Sequence, residues 1–179
     1  AEKLGIADKV FTINAFITKA IAENPDLIEY KFLSVRKEYF GKIDVKNSFF
    51  DTFRDAYPGF EKWFSKKCDE EAYICCNDRG EFLGFLYLKT EEKDENYNDI
   101  TPTFKPMRRL KVGTFKVEAT GFRLGERFIK IIFDNAIERH LNEIYVTLFM
   151  DRPELKVLYG LLLKWGFYEH GTKTTAGKE

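Results

Sequence analysis

The sequence contains few of the residues that build metal centres and disulfide frameworks. It has three cysteines and two histidines among 179 residues, and no C-x-x-C pair occurs. Cys75 and Cys76 are adjacent, so they should point to opposite faces of a strand. These observations predict neither a metal site nor a disulfide scaffold, and they favour a reducing cytoplasm.

The sequence also lacks long apolar segments and an excess of charge. No apolar run approaches the roughly 18 residues that indicate a membrane-spanning helix, and the start, A-E-K-L-G-I-A-D-K, does not resemble a signal peptide. Lys plus Arg and Asp plus Glu both number 29, so no overall charge attracts nucleic acid or an anionic membrane. We therefore expect a cytoplasmic protein that binds neither.

Aromatic and apolar residues are abundant. The apolar fraction is 44%, with 18 Phe and 9 Tyr, which is enough to build a packed core. Residues 1–25 show a strand-like run and then an amphipathic helix that ends at Asn24-Pro25. We expect residues 1–25 to be an appendage or the remnant of a preceding α/β domain, and residues 26–179 to form the main domain.

The main domain shows five strand signals and one polar loop. Alternating residues predict strands over 28–36 and 108–118, and a continuous apolar run predicts a strand over 143–149 that is buried on both faces. Two apolar runs around Asn77–Gly80 predict a hairpin. The polar, proline-containing residues 89–106 predict a solvated loop.

Helical spacing of apolar residues predicts the remaining elements. Two short helices should meet at Pro58-Gly59, and longer helices should cover residues 126–140 and 153–166. The aromatic run from Phe49 to Phe64 should pack in the core. The expected fold is α/β, with a mixed, mostly antiparallel central sheet, one parallel β-α-β unit and helices on both faces.

The stretch A-T-G-F-R-L-G-E-R-F-I-K, residues 119–130, lies between a predicted strand and a predicted helix. The first amides of a helix lack intrahelical partners, so they can bind phosphate where the junction is free of bulky side chains. Gly121 and Gly125 supply such a junction, and Arg123, Arg127 and Lys130 add positive charge. The same residues also fit an ordinary turn before a solvated helix face, because a glycine pair alone is weak evidence.

This stretch resembles motif A of the GNAT-type N-acetyltransferase superfamily, the pattern Gln/Arg-x-x-Gly-x-Gly/Ala. Thr120 takes the first position, Arg123 the first glycine and Gly125 the second, with Leu124 between them. Thr120 and Arg123 differ from the motif, and Arg123 should therefore need a conformation with negative φ. The expected element order and the sequence K-W-G-F at 164–167 are also similar to that family.

The resemblance covers about residues 28–175 and implies an acyl-CoA N-acyltransferase-like fold. It implies acetyl transfer from acetyl-CoA, as co-substrate, to a primary amine on a small molecule or a protein. The family closes with one more strand, which residues 171–179 supply poorly, so we expect domain 26–179 to lack its last strand.

The resemblance also implies a cofactor site made of strand-end and helix-start backbone. An N–H near Lys116–Val117 would hold the thioester oxygen, and the amides that follow would face the pyrophosphate. The implied cofactor-binding residues are Lys116, Val117, Thr120, Gly121, Phe122, Arg123, Leu124, Gly125 and Glu126.

Two residues are candidates for proton transfer. The family often has a Tyr five residues before the last Phe of the final helix, where it protonates the leaving thiolate; here that position is Leu162, and Tyr159 lies one turn earlier. Glu118 is the candidate general base. Both also fit plain structural roles, Glu118 as an exposed strand-end carboxylate and Tyr159 as an ordinary helix residue.

Other functions fit the same sequence. A GNAT-like acetyl-CoA-binding module that has lost catalysis could regulate a larger protein, and an α/β interaction domain would bind no coenzyme. In this family the helices that correspond to Phe49–Phe64 often line the acceptor site, so an aromatic acceptor wall is an alternative to a simple core. The sequence does not indicate an oligomeric state.

Overall fold

A five-stranded mixed sheet organises the protein, as a computed structural model shows for residues 13–24, 33–119, 123–149 and 153–174. Its spatial order is β1-β2-β3-β5-β6, and a separate two-stranded ribbon joins β4 to β7. The strands are β1 (Val35–Tyr39), β2 (Glu71–Cys76), β3 (Phe82–Glu91), β4 (Ile100–Thr101), β5 (Arg109–Val117), β6 (Ile144–Val146) and β7 (Thr172–Lys173).

Five α-helices accompany these strands among the described residues. Two single-turn 3-10 helices, Phe40–Lys42 and Ser48–Phe50, lie between β1 and the second α-helix. The α-helices are α1 (Ile13–Glu23), α2 (Asp51–Ala56), α3 (Phe60–Ser65), α4 (Leu124–Glu138) and α5 (Pro153–Lys164).

The pairing of the strands confirms the expected fold class. β1, β2, β3 and β5 pair antiparallel in that order, whereas β5 and β6 are parallel and connected through α4. The ribbon of β4 and β7 is antiparallel. Strand β7 therefore belongs to the ribbon and not to the main sheet. The domain boundary near residue 25 stays a prediction.

The sheet separates two apolar clusters. One face packs on α4 and α5 through residues such as Leu86, Leu110 and Phe128. The other face packs on the 3-10 turns, α2 and α3 through an aromatic cluster that includes Phe50 and Phe85. Cys75 lies in the first cluster and Cys76 packs against the second, which confirms that the two point to opposite faces.

Two predicted strands have different bounds in the structure. The strand expected over 28–36 starts at Val35; residues 28–32 lie outside the described part, and the observed strand continues through the charged residues to Tyr39. Because β1 lies at the edge of the sheet that the described residues form, exposed charge is tolerated there. The strand expected over 143–149 covers only Ile144–Val146, and Tyr145 alone of the three is buried.

The segment 89–106 was expected to be solvated, and this expectation is wrong for its key residues. β3 extends to Glu91, which is only 1% exposed. Its carboxylate accepts hydrogen bonds from the hydroxyls of Tyr145 (2.5 Å) and Tyr97 (3.0 Å) and from Nζ of Lys111 (3.1 Å). These bonds join the segment to β5 and β6, and a buried carboxylate needs such partners.

Both long helices end with a residue in the left-handed conformation. Gly166 (φ +87°) follows α5, as the K-W-G-F sequence predicted, and the Phe167 amide donates to the Leu162 carbonyl across it. His140 (φ +54°) takes the same position after α4. None of the helices within the described ranges is long and apolar enough to cross a membrane.

The buried tyrosines predict a loss of stability in alkali. Burial, and then the neighbouring Glu91 carboxylate, raise the pKa of Tyr145 well above its ordinary value of about 10. The unfolded chain therefore loses this proton at lower pH than the folded protein, and the free energy of unfolding should fall as the pH rises past about 10. Urea denaturation across this range should show a smaller fall for Tyr145→Phe. An identical pH dependence in both proteins would contradict the role of Tyr145.

Candidate active site

A β-bulge at Gly113 divides β5 into two halves. Val112 pairs with Leu88 and Thr114 pairs with Tyr87, so Gly113 is one extra residue on β5. A Cβ at Gly113 would lie 2.6 Å from Cδ1 of Tyr87. The Tyr87 ring therefore packs against the strand at a position where the sequence has no side chain.

The parallel strand β6 accompanies β5 only before this bulge. The three pairs are Leu110 with Ile144, Lys111 with Tyr145, and Val112 with Val146. β5 continues to Val117, and within the described residues no strand pairs with that edge after Val112. We call the space between residues 113–117 of β5 and residues 147–149 after β6 the strand gap.

The bulge also changes which amides face the strand gap. Before it, the Leu110 amide donates to the Glu143 carbonyl at 2.9 Å, toward β6. After it, the Glu118 amide donates to the Leu83 carbonyl at 2.9 Å, toward β3. Since amide directions alternate along a strand, the amides of Phe115 and Val117 point into the strand gap. This register refines the expected oxyanion donor near Lys116–Val117 to the odd-numbered residues.

The helix that follows begins at Leu124, and Thr120, Gly121 and Phe122 lie outside the described residues. Arg123 is the N-cap of α4 and has φ +51°, in the left-handed region that favours glycine. The expectation of negative φ at Arg123 is therefore wrong: the arginine adopts a conformation typical of the glycine that the motif has there. The first i to i−4 bond of the helix runs from the Arg127 amide to the Arg123 carbonyl, so three amides precede it, at Leu124, Gly125 and Glu126.

The basic residues of the stretch have different partners. The Arg127 guanidinium donates to the Leu33 carbonyl, and Lys130 pairs with Asp134, so both are directed to neighbouring protein groups. Only Arg123 stays at the start of the helix, with its Nε 3.3 Å from Oε2 of Glu126 and its side chain 79% exposed.

Sequence reasoning missed a second cation at this helix start. Nζ of Lys164, on α5, lies 2.8 Å from Oε1 of Glu126. The hydrogen bond from Lys164, and then the charge of Arg123, lower the pKa of Glu126. Two cations thus share one carboxylate beside the positive end of α4, and Lys164 could only be found from the packing of the two helices.

Gly125 has a packing reason of its own. A Cβ at this position would lie 2.8 Å from Cδ2 of Leu161 on α5. The glycine therefore leaves room for the Leu161 methyl group against the first turn of α4, and a side chain at residue 125 would have to displace that methyl group.

The two candidate proton-transfer residues lie in separate hydrogen-bonded pairs. The Glu118 carboxylate, 49% exposed, is 2.6 Å from Nζ of Lys116. The hydroxyl of Tyr159 donates to Glu169 at 2.8 Å, which raises the pKa of Tyr159, so the phenol keeps its proton at neutral pH. Leu162 is buried and has no proton to give. Among the described residues, no cluster of His, Cys, Asp or Glu could hold a metal ion.

The overall structure is similar to those of several acetyltransferases. Ribosomal-protein-alanine N-acetyltransferase from Brucella melitensis biovar Abortus 2308 is 12% identical, with 80% of this chain and 98% of that chain covered and a TM-score of 0.57. An acetyltransferase from Trypanosoma brucei is 12% identical over 82% and 99% of the two chains, with a TM-score of 0.58.

A third similar structure contains a coenzyme A derivative. AAC(6')-Iy in complex with the bisubstrate analogue CoA-S-monomethyl-acetylneamine is 12% identical over 82% of this chain and 98% of that chain, with a TM-score of 0.53. Neither protein-family models nor curated proteins gave a match. The structural similarity establishes the GNAT acyl-CoA N-acyltransferase fold, which confirms the resemblance at the level of fold.

The contact between Tyr87 and Gly113 predicts that alanine is poorly tolerated at the bulge. Gly113→Ala should lower the free energy of unfolding by about 1–3 kcal/mol, because the added methyl group overlaps the ring. Gly160→Ala on α5 is the matched control: its Cβ meets no atom within 4 Å, and alanine favours the helix by up to about 1 kcal/mol. Urea denaturation measures both, and equal effects at the two glycines would contradict the steric requirement.

Proposed function

We propose that this chain, folded as a GNAT domain, transfers the acetyl group of acetyl-CoA to a primary amine. The observation that carries the proposal is the strand gap, where the bulge at Gly113 turns the Phe115 and Val117 amides toward an open strand edge. An extended pantetheine arm could lie along this edge as a missing strand would. The same amides could then donate to the thioester oxygen and to the oxyanion that develops from it.

The start of α4 suits the pyrophosphate of the coenzyme. The amides of Leu124, Gly125 and Glu126 lie at the positive end of the helix, which is a general anion-binding arrangement. Arg123 and Lys164 add two positive charges against the single carboxylate of Glu126. We also propose that the amides of Thr120, Gly121 and Phe122 face the pyrophosphate, and the sequence motif alone supports this part of the proposal.

The reaction needs little covalent chemistry from the protein. The neutral amine nitrogen attacks the thioester carbon, the new C–N bond forms, and the C–S bond breaks with its electron pair on sulfur. The amine loses one proton and the thiolate gains one. In the proposal Glu118 takes the first proton, directly or through water, and Tyr159 supplies the second after leaving Glu169. Orientation of the two reactants supplies much of the rate enhancement.

A second function is favoured by one specific observation. Leu162, buried at 3% exposure, replaces the expected proton donor, and the Tyr159 hydroxyl is already bound to Glu169. A domain that binds acetyl-CoA without transferring the acetyl group would need neither residue, and it could regulate a larger protein. We propose a cytoplasmic location for either function, because the three cysteines are free thiols.

Calorimetry with acetyl-CoA tests both functions at once. We expect saturable binding of acetyl-CoA. If no binding is detected at millimolar acetyl-CoA, both proposed functions are contradicted. Release of free thiol over a panel of primary amines then separates them: amine-dependent release supports transfer. Binding without release from any amine, including those in a cell extract, supports the regulatory module.

Removal of one amide tests the oxyanion site directly. Val117→Pro deletes an N–H that points into the strand gap and not toward β3, so the β3 pairing loses no hydrogen bond. We expect kcat to fall by about 100-fold or more, since one oxyanion donor contributes that much in other enzymes. Val117→Ala keeps the N–H and is the matched control, and circular dichroism verifies that both variants fold. Equal kcat values for the two would contradict the role of the Val117 amide.

A further inference from the structure

A surface cavity lies over the first three strands of the sheet, near the C-terminal end of α4. Its volume is about 390 Å³, and its lining includes Tyr39, Asp69, Glu70, Glu71, Leu88 and Arg139. Arg139 directly follows α4, whereas the proposed pyrophosphate site lies at the first residues of this helix. The helix has 15 residues, so about 22 Å separates its two ends. The strand gap lies on the other side of β5, and we call this second opening the polar cavity.

Two neutral groups hold the Arg139 guanidinium in one orientation. Nη1 donates to Oγ1 of Thr90 at 3.0 Å, and Nη2 donates to Oδ1 of Asn135 at 2.8 Å. Asn135 is itself only 4% exposed, and its Nδ2 donates to the Ile131 carbonyl at 2.8 Å and to the Tyr73 hydroxyl at 2.9 Å. A guanidinium has five N–H donors, and these two bonds leave the others to a ligand. The cation is therefore positioned before any ligand arrives.

The polar cavity contains one cation and one carboxylate that lack a counter-ion in the described part of the chain. Glu70 and Glu71 are each paired with a lysine, at 2.9 Å and 3.3 Å. Arg139 and Asp69 have no oppositely charged group within 4.0 Å among the described residues, so they also lie farther than that from each other. A ligand that carries both charges can pair with both groups. A ligand with a single charge leaves one of them unpaired.

Two apolar side chains adjoin these charges in the lining of the cavity. The side chain of Tyr39 is 45% exposed at the end of β1, and that of Leu88, on β3, is 7% exposed. Removing such a ring surface from water is favourable, and an aromatic ring offers a large contact area. The polar cavity therefore combines two separated charges of opposite sign with an apolar wall, which suits a zwitterion that has an apolar substituent.

We propose that the polar cavity binds a free α-amino acid with an apolar side chain. The ligand carboxylate accepts hydrogen bonds from Arg139, whose planar fork suits a carboxylate. The ligand ammonium faces Asp69, and the apolar side chain packs on Tyr39. This binding event goes beyond the proposed acetyl transfer, because no residue of the cavity belongs to the coenzyme site or to the oxyanion site. Both charge pairs stay partly solvated, so we expect a dissociation constant between micromolar and millimolar.

Three probes with the same side chain test the need for both charges. L-Leucine has both, leucinamide keeps the ammonium without the carboxylate, and N-acetylleucine keeps the carboxylate without the ammonium. In calorimetry with the full chain, leucine should bind saturably and at least about tenfold more tightly than either analogue, a difference of about 1.4 kcal/mol. Coenzyme A should leave the affinity for leucine unchanged, because its proposed site is separate. No binding at millimolar leucine, equal affinities for the three probes, or competition with coenzyme A would overturn the proposal.

Two substitutions show which group recognises which charge. Arg139→Gln should abolish the preference for leucine over leucinamide, and Asp69→Asn should abolish the preference for leucine over N-acetylleucine. Asp78→Asn is the matched control, because Asp78 is exposed in the turn that follows β2, at the opposite end of that strand from the cavity, and it should retain both preferences.

The selectivity of the loss distinguishes contact with the ligand from a structural role. If Arg139→Gln weakens all three probes equally, the guanidinium does not contact the carboxylate and the assignment is wrong. Asp69 is exposed and has no ion pair among the described residues, so Asp69→Asn should fold normally and tests the cavity independently. If Asp69→Asn keeps the full preference over N-acetylleucine, leucine binds elsewhere, for example in the strand gap as an amine acceptor, and the proposal is overturned.

Discussion

The packing of the Tyr87 ring against Gly113 is the contact on which the site depends. It lets β5 contain one residue more than the opposite stretch of β3. Because of this extra residue, even-numbered amides of β5 point away from β3 before the bulge, and odd-numbered amides do so after it. Lys67 donates to the Tyr87 hydroxyl at 2.8 Å, and the hydroxyl is also bound to Glu70. The aromatic cluster thus fixes the ring, the ring fixes the bulge, and the bulge orients the backbone that the proposed chemistry uses.

Local patterns predicted most of the fold. The hairpin, the helix pair at Pro58-Gly59 and the β5-α4 unit all have signals within a few residues, so periodicity and turn chemistry were sufficient. The burial of Glu91 could not be predicted in this way. It begins the acidic run Glu91–Glu95, which is typical of a solvated loop, and its partner Tyr145 lies 54 residues further along the chain.

The candidate site shows the same division between local and distant information. The resemblance led to the start of α4 and to the end of β5, because the motif is continuous in sequence. It could not supply Lys164, which reaches Glu126 from another helix, or the direction of the Phe115 amide, which follows from pairing with β3.

The buried Glu91 cluster has a mechanical consequence for the parallel strands. Tyr145 of β6 and Lys111 of β5 both bind this carboxylate, on the three-residue paired section that precedes the bulge. Among the described residues, the two strands are therefore joined to each other only before the bulge, while β5 stays paired with β3 as far as Val117. A change in the width of the strand gap would therefore be a displacement of residues 147–149, and it would break no hydrogen bond between these strands.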